Sequence, residues 1–314
     1  MIKRFIAAAF VAVFTVAGAN AQLLYKISGK DLKAPSYIIG THHLANVGFV
    51  EKIPGVKDAL TNTEQVYGEL KWEVMSNPDS LKVMQAAMVL PEGKTLKTVL
   101  SAEQYKKLDA AITQMMGVGL SNPQVAAQMG SMSPAALTTQ LQVLMFMQKH
   151  MGEFDPSSTF DQYFQAQAKK NNEPTGGLET IAFQTELLYK GTPLKRQVEQ
   201  LMCLLNNQEF NEEVMEKMTD AFYAQDLNEL KAVMDMKIGN TCDSTPEELA
   251  QLIDNRNADW AKKMPAIMVD KPTFFAVGAG HLPGAKGVLQ LLKDAGYTVD
   301  VLAESQFAVY LLAG

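Results

Sequence analysis

Two histidines in this sequence stand in the same short motif, a glycine followed by two residues and a histidine. Residues 37–44 read YIIGTHHL and residues 275–282 read FAVGAGHL. An aromatic and two apolar residues precede each glycine, and a leucine follows each histidine, which identifies a weak internal repeat. Because imidazole is a common ligand of divalent metals, His43 and His281 are candidates to hold one metal ion together.

Each motif follows a short apolar run that predicts a β-strand, residues 36–39 and residues 274–277. In open α/β sheets, ligands bind beyond the carboxyl ends of the strands. Gly40 and Gly278 therefore have a structural role, since glycine lets the chain turn sharply or lets a ligand approach. A lone histidine is more often a packing residue, but the paired context favours a functional interpretation.

Carboxylates are the other candidates. A third predicted strand, residues 65–70, brings Glu69 to the same sheet edge, so the predicted metal ligands are His43, His281 and Glu69. Glu179 follows the pair Gly176-Gly177, and two interpretations stay open for it. It places negative charge in the first turn of a helix, or it is a second carboxylate near the metal.

The pattern of strands and helices expected around these residues predicts an α/β fold with a central mixed β-sheet flanked by helices. Strands are expected at 23–28, 36–39, 65–70, 274–277 and 297–302. A large helical insertion is predicted after the third strand, at about 78–171, with further helices through residue 268. Capping boxes at residues 101–104 and 245–248 and the Ser133-Pro134 pair mark helix starts. A helix at about 285–295 is expected to join the last two strands in a β-helix-β unit with parallel strands.

Other candidate ligands are assigned to packing. His42 is next to His43, and adjacent strand residues point to opposite faces, so the two are not expected to bind one metal together unless the strand has already ended. His42 is therefore expected either to support the ligands from behind or to pack. His150, after Lys149 at a predicted helix end, is given no catalytic role. The 18 methionines suggest copper ligation, but their helical spacing favours core packing.

The amino terminus predicts export. Residues 1–21 combine Lys3, Arg4, an apolar run and a small-residue site typical of a secretory signal, with cleavage expected before Gln22. Its removal changes the net charge from −6 to −8, which argues against nucleic acid as a partner. No later stretch is apolar enough to span a membrane, so a periplasmic or secreted protein with no stable membrane insertion is expected. In that compartment, Cys203 and Cys242 are a possible disulfide.

Over nearly all of the predicted mature chain, the sequence resembles the TraB/PrgY/GumN family. This family includes the Tiki-type metalloproteases and is distantly related to the haem-binding ChaN and erythromycin-esterase (EreA) folds. His42 departs from the family pattern, which usually has an apolar residue there. The matching segments are IIGTHH at 38–43, Glu69, LPEGKTL at 90–96, FDQYF at 160–164, GLET at 177–180, Arg256-Asn257 and VGAGHLPG at 277–284.

The resemblance implies that His43 and His281 are the motif histidines, that Glu69 is the shared acidic residue and that Arg256 is the basic residue before the second motif. It also implies a peptidase that depends on Mn or Co, with Zn possible, and a peptide or protein substrate. In this interpretation Glu69 or Glu179 takes a proton from the attacking water. Arg256, with Asn257, binds the substrate or its developing oxyanion, unless Arg256 is simply a surface ion pair.

A single domain from 22 to 314 is expected, with the helical insertion shaping the cleft. Two alternatives keep the fold but not the catalysis: a protein that holds haem or a metal through the two histidines, and a partner that sequesters a peptide. A nucleophilic serine of the G-x-S-x-G kind and a glycine-rich phosphate loop after a strand are both absent from the sequence. Hydrolases and nucleotide enzymes of those types are excluded.

Overall fold

The computed structural model describes residues 22–302 except 154, 156 and 157. The predicted signal segment, residues 1–21, lies outside the described residues, and cleavage before Gln22 stays a prediction. The predicted single domain ends at residue 314, which also lies outside them.

A mixed β-sheet lies at the centre of the described chain, as predicted. Its spatial order is β4-β3-β5-β2-β1-β6. The first four strands in this order run parallel, whereas β1 is antiparallel to both of its neighbours. The strands are β1 (Leu24–Ser28), β2 (Ser36–Thr41), β3 (Gln65–Leu70), β4 (Thr175–Glu179), β5 (Thr273–Gly278) and β6 (Thr298–Val301).

The last two strands run in the same direction, as the predicted β-helix-β unit requires, but they are not neighbours in the sheet. β6 pairs with β1 in the antiparallel sense at the far edge, because β2 and β3 already occupy both sides of β5. The intervening helix is also shorter than expected and spans Val288–Asp294.

β4 was missed by the sequence analysis, which expected helices after the Gly176-Gly177 pair. Glycine is rare inside strands, but close packing requires it here. A Cβ atom on Gly176 would lie 2.3 Å from the Tyr67 ring, and one on Gly177 would lie 2.4 Å from the backbone nitrogen of Lys71. The strand that carries Glu179 therefore has a sequence that does not resemble a strand.

Helices cover the sheet and account for most of the remaining chain. The capping boxes at residues 101–104 and 245–248 and the Ser133 cap are confirmed. Six of the helices lie between β3 and β4, where the helical insertion was predicted. The helices are α1 (Val56–Thr61), α2 (Pro78–Met88), α3 (Leu96–Val99), α4 (Ala102–Met116), α5 (Pro123–Met129), α6 (Pro134–Lys149), α7 (Phe160–Lys170), α8 (Ile181–Lys190), α9 (Leu194–Asn206), α10 (Gln208–Tyr223), α11 (Leu227–Met234), α12 (Pro246–Leu249), α13 (Asn255–Asp270) and α14 (Val288–Asp294).

Two hydrophobic cores stabilise the described chain. One surrounds the sheet, and the other lies among the helices α3 to α6 and α9. Buried methionines such as Met129, Met145 and Met264 belong to these cores, as the packing interpretation predicted. The disulfide between Cys203 and Cys242 is present and ties α9 to the segment before α12. None of the described helices has both the length and the apolarity that a membrane crossing requires.

Candidate active site

The carboxyl ends of the four parallel strands meet at one edge of the sheet. Thr41 at the end of β2 lies opposite Gly278 at the end of β5, and Leu70 of β3 lies opposite Glu179 of β4. Both glycine–histidine motifs and both candidate glutamates therefore leave the sheet on the same side. This is the edge at which ligands bind in parallel α/β sheets.

The two motif glycines allow the motifs to pack against each other. A Cβ atom on Gly40 would lie 2.9 Å from the Cβ atom of Ala279 in the second motif. A Cβ atom on Gly278 would lie 3.0 Å from Glu69 Oε1. Any larger residue would push the strand ends apart, which supports the structural role predicted for both glycines.

The first motif presents an exposed histidine anchored by a carboxylate. The side chain of His43 is 72% exposed, and its Nδ1 lies 2.7 Å from Asp161 Oδ2. The Thr41 hydroxyl donates to Asp161 Oδ1 at 2.5 Å. The charge and hydrogen bond of Asp161 raise the pKa of His43 to about 9. Asp161 thus fixes the ring through Nδ1 and leaves Nε2 for another partner.

Sequence reasoning missed the role of Asp161. It was quoted only as part of the FDQYF segment, with no function assigned to it. Asp161 lies in the first turn of α7, where a carboxylate is also favoured by the helix dipole. Since 118 positions separate it from His43, only the family pattern around it signals its importance.

The second motif presents a buried histidine anchored by an amide. A single 3₁₀ turn, Ala279–His281, follows β5 and leaves His281 only 5% exposed. Its Nδ1 lies 2.7 Å from Asn257 Oδ1, while Asn257 Nδ2 donates to the backbone oxygen of Lys286. Since the amide oxygen can only accept, Nδ1 carries the proton and Nε2 the lone pair. Burial lowers the pKa of His281 to about 4, so the ring is neutral at pH 7.

Arg256 joins the two glutamates to the second motif. Its guanidinium donates to Glu179 at 2.8 and 2.9 Å, to Glu69 Oε2 at 2.7 Å and to His281 Nε2 at 3.0 Å. It also lies 4.9 Å from the centre of the Trp260 ring. The interpretation of Arg256 as a surface ion pair is therefore wrong, because the residue is buried in the site.

An irregular helical turn precedes Arg256. Residues Ala250–Asp254 form a π-helical segment between α12 and α13. Such segments are rare and frequently occur at functional sites, since they change the direction in which the following side chains point. Here the carbonyl oxygen of Leu252 accepts a hydrogen bond from the Arg256 guanidinium at 3.2 Å. The segment thus helps to aim the arginine at the strand ends.

Glu69 and Glu179 differ in access. Glu69 Oε1 accepts from the Gly278 N–H at 2.8 Å. Burial alone would raise the pKa of Glu69, but the positive charges near it, chiefly Arg256 at neutral pH, hold the pKa below its ordinary value. The side chain of Glu179 is only 1% exposed and also accepts from the Trp260 indole N–H at 3.0 Å. Glu69 is therefore the carboxylate that solvent and substrate can reach.

The structure also corrects one interpretation of Glu179. It ends β4 and does not lie in the first turn of a helix, because α8 begins at Ile181 with Thr180 as its cap. Gln184 of α8 was not predicted as a site residue, yet its amide donates to Glu69 Oε2 at 3.0 Å and to Glu179 Oε2 at 3.4 Å. The glutamine links the two carboxylates on the side away from His281.

A cavity of about 270 Å³ opens in front of this arrangement. His43, Glu69, Asp161 and Gln184 contribute its polar walls, and Trp72 and Met75 are among its apolar ones. Neither His281 nor the Arg256 bonded to its Nε2 is part of the wall. Of the two motif histidines, His43 therefore lies at the cavity wall, whereas His281 is buried deeper in the protein.

The remaining two histidines pack against aromatic rings. His42 lies 5.3 Å from Phe222 and 6.1 Å from Phe146, measured between ring centres. His150 stacks on Phe146 at 4.3 Å and has Glu153 and Glu216 at its ring nitrogens. These contacts support packing as one of the two roles predicted for His42, and they show that both ring nitrogens of His150 face carboxylates.

The donor chemistry of the site suits a divalent metal. Both motif histidines are anchored through Nδ1 and keep Nε2 as the potential ligand atom, which is the usual outer arrangement of metal-binding histidines. Glu69 adds a carboxylate whose Oε1 lies 3.9 Å from His281 Nε2. Among the described residues, however, no three His, Cys, Asp or Glu side chains are grouped closely enough to hold a metal ion as they stand. Arg256 occupies the lone pair of His281 that a metal would need.

An α/β protein with two strand-end G-x-x-H motifs and a buried arginine–glutamate cluster defines a recognisable class. The model of the TraB/PrgY/gumN family matches residues 23–301. The chain belongs to this family, as the sequence motifs predicted.

Several characterised relatives carry the name of a metalloprotease. The chain is 23% identical over 320 residues to "Metalloprotease TIKI homolog" of Nematostella vectensis, covering 87% of this chain and 66% of that protein. It is 22% identical over 310 residues to "Metalloprotease TIKI2" of Danio rerio, covering 85% and 58%. It is 25% identical over 311 residues to "Metalloprotease TIKI1" of Homo sapiens, covering 85% and 59%.

The chain thus spans about three fifths of the length of these curated relatives. No solved structure matches it. These names belong to the relatives, which are 22–25% identical to this chain.

Proposed function

We propose that this protein is an exported metal-dependent peptidase whose divalent metal, Mn or Co, is held by His43, His281 and Glu69. One observation carries the proposal. Two histidines from separate strands are each anchored through Nδ1, by Asp161 and by Asn257, beside one shared glutamate. Packing histidines have no need of such matched anchors, whereas metal ligands usually have them.

A divalent metal held by these residues would supply Lewis-acid activation of water. Among the side chains of this protein, Glu69 would be the proton acceptor, since its lowered pKa keeps it ionised at neutral pH and it lines the cavity. Glu179 is not well suited to that role because Arg256 and Trp260 saturate its oxygens. It acts instead as the buried counter-charge that holds the guanidinium in place.

Arg256 is the residue that stabilises the negative charge of the substrate. The N–H groups of its guanidinium are all taken by the two carboxylates, His281 and the Leu252 carbonyl oxygen, so Arg256 would act through its fixed charge and not through a new hydrogen bond. Arg256 does not line the cavity, but it is bonded to Glu69, which does, and an oxyanion developing beside Glu69 would experience this preorganised positive charge. Asn257 supports the site indirectly by keeping the proton of His281 on Nδ1.

The position of Arg256 also favours a second candidate, a peptide-binding protein that needs no metal. The guanidinium already neutralises Glu69 and Glu179 and satisfies His281 Nε2. A complete set of internal partners is what a purely structural or recognition cluster requires. In that case the cavity would bind a peptide without cleaving it.

Metal content and peptide cleavage distinguish the two candidates. The purified protein is loaded with Mn or Co, dialysed and analysed for metal, and then assayed on a fluorogenic peptide library. The variants His43→Ala and His281→Ala are compared with His150→Ala, a histidine outside the site. The proposal expects about one metal per chain and library cleavage in wild type and His150→Ala, with both lost in the two motif variants.

Two results would contradict the peptidase. Cleavage that survives both motif substitutions would place the activity elsewhere or in a contaminant. Failure of the wild-type protein to retain either metal would favour the metal-free peptide-binding candidate. A Soret band in the purified protein would instead indicate that the histidines bind haem.

A further inference from the structure

The outer side of β4 lies along a groove that the predicted site residues do not explain. β4 is the edge strand, with β3 on one side and no strand on the other among the described residues. A groove of about 760 Å³ runs beside it, between α8 and α13. Gly177 of β4 forms part of its floor, and Phe183, Leu187 and Lys263 form part of its walls.

The ladder between β3 and β4 determines which backbone groups face this groove. The Val66 N–H donates to the Pro174 oxygen at 3.0 Å, and Val66 lies opposite Thr175. In a parallel ladder, the N–H and C=O of one residue point to the same side, and successive residues alternate. Thr175, Gly177 and Glu179 therefore direct their N–H and C=O groups away from β3. Partly buried backbone groups of this kind require hydrogen-bond partners.

The charges in the groove walls are already paired. Lys263 Nζ lies 2.5 Å from Asp259 and donates to the Leu178 oxygen at 2.8 Å. Arg256 is neutralised by Glu179. What the groove offers to a partner is thus a row of backbone groups beside an apolar wall, in which the exposed Phe183 is prominent.

We propose that an extended peptide segment binds along the outer edge of β4 as an additional strand, with apolar side chains at alternate positions against Phe183 and Leu187. This mode uses backbone hydrogen bonds for affinity and leaves sequence preference to the apolar wall. The groove shares no lining residue with the cavity in front of His43, but it adjoins the candidate site, because Glu179 and Arg256 line it and Arg256 is bonded to Glu69. The inference rests on the proposed function, since the bound segment is the substrate of that site.

N-methylation of the peptide tests the backbone pairing. Full-length protein is kept in EDTA so that nothing is cleaved, and a fluorescein-labelled octapeptide library is screened by fluorescence anisotropy. Each amide of the tightest binder is then methylated in turn. We expect affinity to fall about tenfold at every second position and to change little at the positions between, because only alternate amides face β4.

Hydrogen exchange locates the bound segment on the protein. Peptide binding should slow exchange of the backbone amides of Thr175, Gly177 and Glu179, which gain partners in the complex. Phe183→Asp should weaken binding about tenfold. Leu188→Asp is the matched control, since Leu188 lies on the same helix with similar exposure, 44% against 50%, but outside the groove.

Four results would overturn the proposal: no saturable binding of any library pool, N-methyl effects without a period of two, protection elsewhere than β4, or equal losses in the two variants. The proposed peptidase can fail separately, because these measurements need no metal. Alternating N-methyl effects in a protein that never cleaves would keep the β4 site and reject the enzyme. Peptide cleavage by a protein whose β4 amides gain no protection would keep the enzyme and reject the β4 site.

Discussion

The two G-x-x-H motifs have nearly the same sequence and opposite surroundings. His43 is exposed beside the Asp161 carboxylate, and its pKa is raised to about 9. His281 is buried beside the Asn257 amide, and its pKa is lowered to about 4. This difference shows that the motif places a histidine at the strand end, whereas helices distant in sequence determine whether that histidine is protonated.

The two anchors explain this contrast physically. α7 supplies Asp161, whose negative charge favours an imidazolium, and α13 supplies Asn257, whose neutral oxygen does not. α13 also supplies Arg256, which adds positive charge next to His281 and further disfavours its protonation. One site thus combines a charged and a neutral histidine, and substitutions at four residues, Arg256, Asn257, Asp161 and His43, test that arrangement.

The largest effect is expected at the second motif. Arg256→Ala leaves Glu69 and Glu179 buried without their cation, and should lower the free energy of unfolding by about 3–5 kcal/mol. Urea denaturation measures it. Lys217→Ala, which breaks an exposed pair with Glu213 of the same 2.7 Å length, should cost much less, because solvent screens that pair. Equal losses of unfolding free energy in the two variants would show that the buried cluster contributes no more to stability than an exposed ion pair.

Removal of the anchors should affect the two motifs unequally. Asn257→Ala leaves the buried Nδ1–H of His281 without an acceptor, and should cost about 1–3 kcal/mol in urea denaturation. Asp161→Ala should cost less, because the exposed ring of His43 can turn to water. A greater loss for Asp161→Ala would contradict the contrast between a buried and an exposed histidine.

Exchange of the anchor charges should move the two pKa values towards each other. Asp161→Asn removes the negative charge and should lower the pKa of His43 from about 9 towards the ordinary 6.5. Asn257→Asp adds a carboxylate and should raise the pKa of His281 from about 4. NMR titration of the imidazole protons measures both values. Unchanged values in either variant would mean that the anchors do not determine the charges.

The smallest expected effect is the pH dependence of stability. Since the pKa of His43 is higher in the folded than in the unfolded chain, its pair with Asp161 stabilises fully below about pH 6.5 and is lost as the pH rises through 9. His281 behaves oppositely, because its lowered pKa costs stability as the pH falls from 6.5 to 4.

Thermal unfolding in metal-free buffer measures this dependence. His43→Gln should flatten the decline between pH 6.5 and 9 and leave the acidic decline in place. The acidic decline is shared with His42, whose pKa burial also lowers to about 4. A wild-type protein with no alkaline decline would contradict the ion pair between His43 and Asp161.

Local sequence signals predicted much of the fold and part of the site. The apolar runs before Gly40 and Gly278 are strands, the capping boxes start helices, and the cysteines are bridged. Each of these features depends on neighbouring residues or, for the cysteines, on compartment and parity. The positions of Glu69, Arg256 and both motif histidines at one sheet edge followed from the strand ends and the family pattern.

What could not be predicted depends on contacts between distant segments. β4 is a strand because β3 packs closely against its glycines, which local propensity does not show. The pairing of β6 depends on which edge of the sheet remains open. Asp161 and Gln184 reach the site from helices whose placement is a result of folding. Long-range packing therefore supplies the partners that set the charges of the site.

The central claim is that the two motif histidines, different as they are, hold one metal ion. Anomalous diffraction from crystals grown with Mn²⁺ and measured at the manganese edge tests it most directly. The account predicts one strong peak bonded to Nε2 of both His43 and His281 and to Glu69, with the Arg256 guanidinium withdrawn from His281. A manganese peak that contacts neither imidazole, or no peak in crystals saturated with the metal, would contradict it.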